Sequence, residues 1–537
     1  MQGIPYPRAV HKIMRLLVFL FLGVSQSWGL RLHSYFTPGM MMQRDVPTKV
    51  WGYDLVGDLA TAELACQEAG HEEIVTHRLR VVRASAEVWE AELPPQPAAA
   101  ICEFRASSET EDIVLTDIMF GDIWLCSGQS NMEQNMYNIM NSSEEIAASA
   151  TFTSIRFTVV KNAVSTEEDL DADVPLQQPW ADPTDASRLG GMSAVCFLYA
   201  RSLHQLWQAA GQEPVPLGLV DSDWGGTLIE AWSPPQSLAS CDAPLPCNED
   251  APQNCHNRLY NAMIHPLARV ALKGFLWYQG EANTGFNRDI YNCTFPAMID
   301  AWRELFSSNS NTAPDAPFGF VQLASWRPDN MDAGFPVIRW HLTADYGYVP
   351  NDRLQNVFMA SPLDTYDDKG GYPGGIHPRY KQIVGERLAI AGMDVAYGTP
   401  LIPLPYGPIP SSVSVSANSA NQVILVEYDD VIVYDNTEIS GFYICKDTPV
   451  NCDSTNRLDG WVEVAKEAVS QLNDYILSIT PRTPLNPDDV FSLAYAWRET
   501  PVKRYLGLPV YGDEEHYSLP SPPWKIACGG GDLFCVM

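Results

Sequence analysis

The chain reads as an α/β protein in which a helix-covered parallel sheet is preceded and followed by β-domains. Three observations predict this. Between residues 118 and 399 short apolar runs alternate with segments of helical periodicity, the pattern of a parallel sheet with crossover helices on both faces. Between residues 30 and 117 the runs 48–53, 79–82 and 113–115 are short and strand-like, and prolines at 94–97 break the chain. Beyond the proline-rich linker 400–410, segments 413–415, 423–426, 431–434, 475–479 and 491–497 again read as strands. The expected units are therefore 30–117, 118–399 and 400–537.

Taken in order, the N-terminus comes first. Arg8, Lys12 and Arg15 precede the apolar run 16–24, and the small residues Ser25, Ser27 and Gly29 follow. That order predicts a secretory signal peptide over residues 1–29. The apolar run falls short of the roughly 20 residues a spanning helix needs. No later segment is apolar for long enough, so stable membrane insertion is not expected. The mature protein is expected to be soluble in the secretory pathway, lysosomal or secreted. Twelve cysteines, an even number, suit an oxidising compartment. Cys445 and Cys452 flank a possible hairpin, Cys528 and Cys535 flank Gly529–Gly531, and Cys241, Cys247 and Cys255 crowd one loop. Cys126, inside an apolar strand, is expected to be a free thiol. Asn141 and Asn292 begin glycosylation sequons. With 34 Lys+Arg against 65 Asp+Glu, the surface repels nucleic acid and anionic membranes, which excludes both as partners.

In the middle unit, strands are expected at 118–126, 215–220, 274–278, 318–323 and 357–361, and helices at 192–209, 261–271, 295–306 and 379–392. Catalytic groups in such a fold sit in loops at the carboxyl ends of the strands. Four loops there carry unusual residues. Ser130 lies at a strand-to-helix turn, where a hydroxyl is exposed beside unpaired N–H groups. Gly225 and Gly226 form a turn through which a backbone N–H can approach a ligand. Gln279 and Asn283 offer neutral amide donors after another strand. His377 precedes Pro378 at an expected helix start.

Gly-Gln-Ser-Asn-Met at 128–132, Trp-Gly-Gly-Thr at 224–227, Trp-Tyr-Gln-Gly-Glu at 277–281 and Ile-His-Pro at 376–378 together resemble the motif blocks of SGNH-type carbohydrate O-acetylesterases. The resemblance implies a flavodoxin-like catalytic domain that needs no cofactor or metal. It implies that Ser130 attacks an acetyl carbonyl and that His377 is the general base and acid. The oxyanion would be held by the Ser130 N–H, an N–H at Gly225 or Gly226 and the Gln279 amide, with Asn283 as a further donor. The implied substrate is an O-acetylated sugar, first of all a 9-O-acetylated sialic acid. Acetylated polysaccharide such as xylan, or mere glycan binding by a decayed site, are the alternatives. One departure stands out. Many relatives carry Asp-x-x-His, whereas Gly374 and Gly375 occupy the two positions where that acid would fall. Asp364, Asp367 and Asp368 precede the histidine and are the candidates for an orienting acid. Arg339 and Arg379 are positional candidates for a sialate carboxylate.

Three further segments are read as structural. His71 and His77 are six residues apart, the wrong spacing for one helix face, and fall in a β-segment. The acidic run 166–174 lacks the glycine and spacing of a calcium loop and reads as a solvated loop. Gly529–Gly531 precedes no phosphate-binding helix.

Overall fold

One long strand, Asp112–Gly128, organises the protein. The computed structural model describes residues 29–54, 59–109, 111–371, 374–402, 405–416, 423–452, 457–482, 490–514, 517–528 and 535–536. The expected signal peptide, apart from Gly29, and the Gly529–Gly531 tail lie outside these residues. The first half of the long strand pairs antiparallel with Ile101–Ser108 of the N-terminal β-structure and parallel with Met41–Gln43. Its second half is the centre of the α/β sheet. The expected junction at residues 117 and 118 thus falls inside a continuous strand.

The central sheet runs Leu176–Ala181, Ile155–Val160, Leu217–Asp223, Asp112–Gly128, Gly274–Tyr278, Phe318–Val321, Val357–Ala360. All neighbours are parallel except the edge strand Leu176–Ala181. From the central strand the chain first builds one side of the sheet and then the other, so the order reverses beside Asp112–Gly128. The crevice at the carboxyl ends there is where such sheets bind ligands.

Alternation along each strand sends residues to two cores. In Gly274–Tyr278, Phe275 and Trp277 join the helix Tyr291–Asn309 through Phe295 and Trp302. Leu276 and Tyr278 join Ala194–Ala209 and Lys381–Val395 on the opposite face. Those two helices touch closely: a Cβ on Gly385 would lie 2.7 Å from Leu198 Cβ. The expected free thiol is overturned here. Cys126 faces the same side as Trp124 and is bonded to Cys196 in the first turn of the covering helix. Cys241 pairs with Cys293, Cys247 with Cys255, Cys66 with Cys102 and Cys445 with Cys452. Cys528 is disulfide-bonded as well.

Two more expectations change. The helix anticipated at 261–271 is a π-turn Tyr260–Ile264 followed by a 3-10 turn His265–Leu267, because Pro266 cannot supply a helical N–H. The acidic run is a clamp as well as a loop. Asp173 accepts from Arg31 Nη1 at 2.8 Å and Ser34 N at 2.7 Å, and Asp171 accepts from Arg269 Nη2 at 2.6 Å. It ties the N-terminal β-structure to the central one.

The C-terminal residues form a four-stranded sheet, a five-stranded sheet and a two-stranded ladder. Arg339 is fully buried and donates to the carbonyls of Leu323, Ala324, Arg498 and Glu499, so it joins this part to the central sheet. Spent on carbonyls, it has no face for a ligand carboxylate.

Candidate active site

Three strand ends are level. Gly128 is in register with Asp223 on one side and Tyr278 on the other. The chain leaves each strand into a motif loop from the same height, which brings Ser130, Gly225 and Gln279 to one edge. Gly128 has φ +143°, and a Cβ there would lie 2.2 Å from the Tyr278 carbonyl oxygen, so the turn into Ser130 demands glycine. The helix expected to begin at Ser130 is a single turn, Ser130–Glu133. Gly225 packs against the nucleophile: its Cβ position lies 3.2 Å from Ser130 Cβ.

His377 comes from the loop that follows the strand Val357–Ala360. The helix expected at 379–392 is Lys381–Val395, so His377 lies in the turn before it and not at its first residue. Its Nδ1 is 3.1 Å from the Gly374 carbonyl oxygen. A carbonyl only accepts, so Nδ1 carries the hydrogen and Nε2 keeps its lone pair. Nε2 is buried with no hydrogen-bond partner among the described residues. Burial, with the Lys381 ammonium second, pushes the imidazole pKa down to about 4. The position three before the histidine, aspartate in many relatives, thus still supplies an acceptor, through its backbone.

The three candidate orienting acids are engaged elsewhere or exposed. Asp364 is fully buried in a bidentate pair with Arg387, at 2.6 and 2.7 Å, and accepts from Tyr511 at 2.8 Å. Asp367 pairs with Arg379 at 2.7 and 2.8 Å, which also occupies the second arginine proposed for a sialate carboxylate. Asp368 is exposed. None of these hydrogen bonds reaches the His377 ring.

The amides divide differently from expectation. Gln279 Nε2 donates to the Thr227 carbonyl at 3.0 Å and to Asn283 Oδ1 at 2.8 Å, and its Oε1 accepts from Tyr291 at 2.7 Å. Asn283 Nδ2 donates to Glu230 and to the Phe286 carbonyl, while its Oδ1 also accepts from Ile229 N. Both side chains are fully buried, and both donor groups are spent on holding the glycine turn and the third loop. The Gly225 N–H donates to Glu133 Oε2 at 2.8 Å.

The sequence reading passed over three residues that join the loops. Asn131, buried beside Ser130, donates to Glu281 at 2.6 Å and to the carbonyl of Ile376, the neighbour of His377, at 3.2 Å. It accepts from Lys381 Nζ at 2.7 Å. Asn131 and Glu281 lie inside the motif blocks, and Lys381 follows the histidine by four residues, which was the available signal.

Of the sequons, Asn141 is exposed just before the helix Ser142–Ser149. Asn292 is half-buried and donates to Asp345 at 2.6 Å. Among the described residues, no helix is long and apolar enough to cross a membrane.

Residues 120–343 match the family described as carbohydrate esterase, sialic acid-specific acetylesterase, and residues 413–528 match the sialate O-acetylesterase C-terminal domain. A serine turn and a histidine turn on one edge of this α/β sheet, with those matches, define a carbohydrate esterase. The chain is 35% identical to Homo sapiens sialate O-acetylesterase over 530 residues, 95% of this chain and 96% of that one. It is 36% identical to the Rattus norvegicus protein of the same name over 505 residues, 84% and 90% of the two chains. The chain belongs to the sialate O-acetylesterase family. A carbohydrate acetylesterase from Xanthomonas citri shares its fold, with TM-score 0.70, 24% identity and coverage of 92% of this chain and 99% of that one.

Proposed function

We propose that this esterase hydrolyses O-acetyl esters of sialic acids, 9-O-acetyl groups foremost, through an acetyl-enzyme on Ser130. The observation that carries the mechanism is His377: its Nδ1 hydrogen is fixed on a backbone carbonyl and its Nε2 lone pair is unspent. Nε2 takes the Ser130 proton as Oγ attacks the acetyl carbonyl, then returns it to the sugar oxygen as the ester bond breaks. A water activated by the same nitrogen releases acetate. The Ser130 and Gly226 N–H groups receive the oxyanion, while Gly225 joins them only if Glu133 swings away. Gln279 and Asn283 act as positioning residues. The Gly374 carbonyl does the orienting work of the absent aspartate.

We read the sheet as the flavodoxin-like core of an SGNH-type domain, which its parallel order supports, and retain the units 30–117, 118–399 and 400–537 as functional divisions. The disulfides support a place in the secretory pathway, lysosomal or secreted. The test is acetate release from 9-O-acetylated sialic acid and from acetyl-xylan, wild type beside Ser130→Ala. Serine-dependent release from the sialic acid alone is expected. Release from xylan alone replaces the substrate, and release by Ser130→Ala overturns the mechanism.

A further inference from the structure

Lys381 is fully buried, which is costly for an ammonium. Its Nζ donates to Asn131 Oδ1 at 2.7 Å and lies 5.4 Å from the Tyr278 ring centre. A lysine only donates, so this bond fixes which way the Asn131 amide faces. Asn131 Nδ2 must then point at Glu281 and at the Ile376 carbonyl, as it does. One amide therefore ties the residue after the nucleophile to the residue before the general base and to the loop that follows Gln279.

We infer that Lys381 is a positioning residue for ester hydrolysis: it orients Asn131, which clamps the Ser130 and His377 turns together, and its ammonium opposes protonation of His377. The inference rests on the serine–histidine mechanism above. The charged and titratable groups around Lys381 come from several elements. Glu281 faces it from the third loop and Asp367, paired with Arg379, from the loop after Val357–Ala360. Arg339 acts on Glu281 from the helix Gly334–His341, and His377 lies on the turn before the lysine's own helix. Burial pulls the Lys381 pKa down to about 7 and pushes that of Glu281 up. The lysine thus titrates near neutral pH. In its charged form it adds to burial in opposing protonation of His377, so the base stays neutral further into acid.

The test uses the full chain with two variants and two reactions: acetate release, and phosphonylation of Ser130 by an organophosphate, which needs no sugar. Lys381→Met keeps the length of the side chain and removes the charge. Its acid limb of kcat/KM is expected to move up by roughly one pH unit in both reactions, the size of one neighbouring charge. Its kcat is expected to fall about tenfold or more with KM within about twofold. Asn131→Ala removes the clamp and leaves the charge. It should lower kcat and the phosphonylation rate without moving the limb, and it carries the test if Lys381→Met does not fold. Folded Lys381→Met with an unmoved limb, or Asn131→Ala with wild-type rates, overturns the inference. A wild-type protein that resists the organophosphate overturns the serine mechanism instead.

Discussion

Asp364→Asn separates a structural acid from an orienting one. Asp364 is buried, and each carboxylate oxygen meets one Arg387 nitrogen, at 2.6 and 2.7 Å; the second oxygen also accepts from Tyr511. The amide keeps one acceptor and turns the other into a donor facing a guanidinium. One charge-assisted hydrogen bond is lost, and Arg387, itself buried, is left without its counter-charge. Breaking a buried pair in this way costs about 3–5 kcal/mol. The main chain of Asp364 also accepts from Leu506 N at 2.8 Å, so the damage should centre on the seam with the C-terminal strands. Chemical denaturation followed by circular dichroism should therefore show a large loss of stability. Acetate release normalised to folded protein should keep kcat within about twofold, because His377 is held by Gly374. An acid that orients the histidine would cost roughly four orders of magnitude in rate. A folded Asp364→Asn protein with kcat down a hundredfold or more would refute the assignment of the Gly374 carbonyl.

Three further outcomes are expected. Cys196→Ser opens a 70-residue loop between the nucleophile strand and its covering helix, costing about 4 kcal/mol, read from denaturation midpoints with and without reductant; an unchanged midpoint would contradict the bridge. Burial holds the Asp221 pKa up, from 3.8 to about 6, and burial beside Asp221 raises Asp223 as well. Folded carboxyls that keep protons the unfolded chain has released lose stability as pH rises through 3.8 to about 6. The stability difference between Asp221→Asn and wild type should therefore grow in the variant's favour over that window, and a flat difference would count against the protonated pair. Finally, peptide mapping of protein made in a glycosylating host should find glycan on Asn141 and not on Asn292, whose amide nitrogen is held by Asp345; occupancy at Asn292 would refute the idea that this bond withholds the nitrogen from modification.

Much of the architecture was legible because it is written in local periodicity. The strands Thr48–Tyr53 and Gly274–Tyr278 and the helix Ala194–Ala209 fall where the apolar spacing puts them. The motif loops were legible for a related reason: small and amide residues after an apolar strand interrupt the pattern. The strands Ile155–Val160 and Leu176–Ala181 and the helix Gly334–His341 were passed over, being short or half-polar. The turn at Pro266 shows periodicity yielding to a single missing N–H.

Chain order alone determined that Ser130, the glycine pair, Gln279 and His377 would stand in loops of an α/β sheet, since strand exits depend on residues close in sequence. It carried no information on where long-range polar groups are spent. Only the tertiary structure turned Gln279 and Asn283 inward, joined Cys126 to Cys196, gave Asp364 to Arg387 and Asp367 to Arg379, and set Gly374 against the His377 ring. A hydrogen bond or disulfide is chosen by which partners the packed core brings within about 3 Å, and that choice is not local.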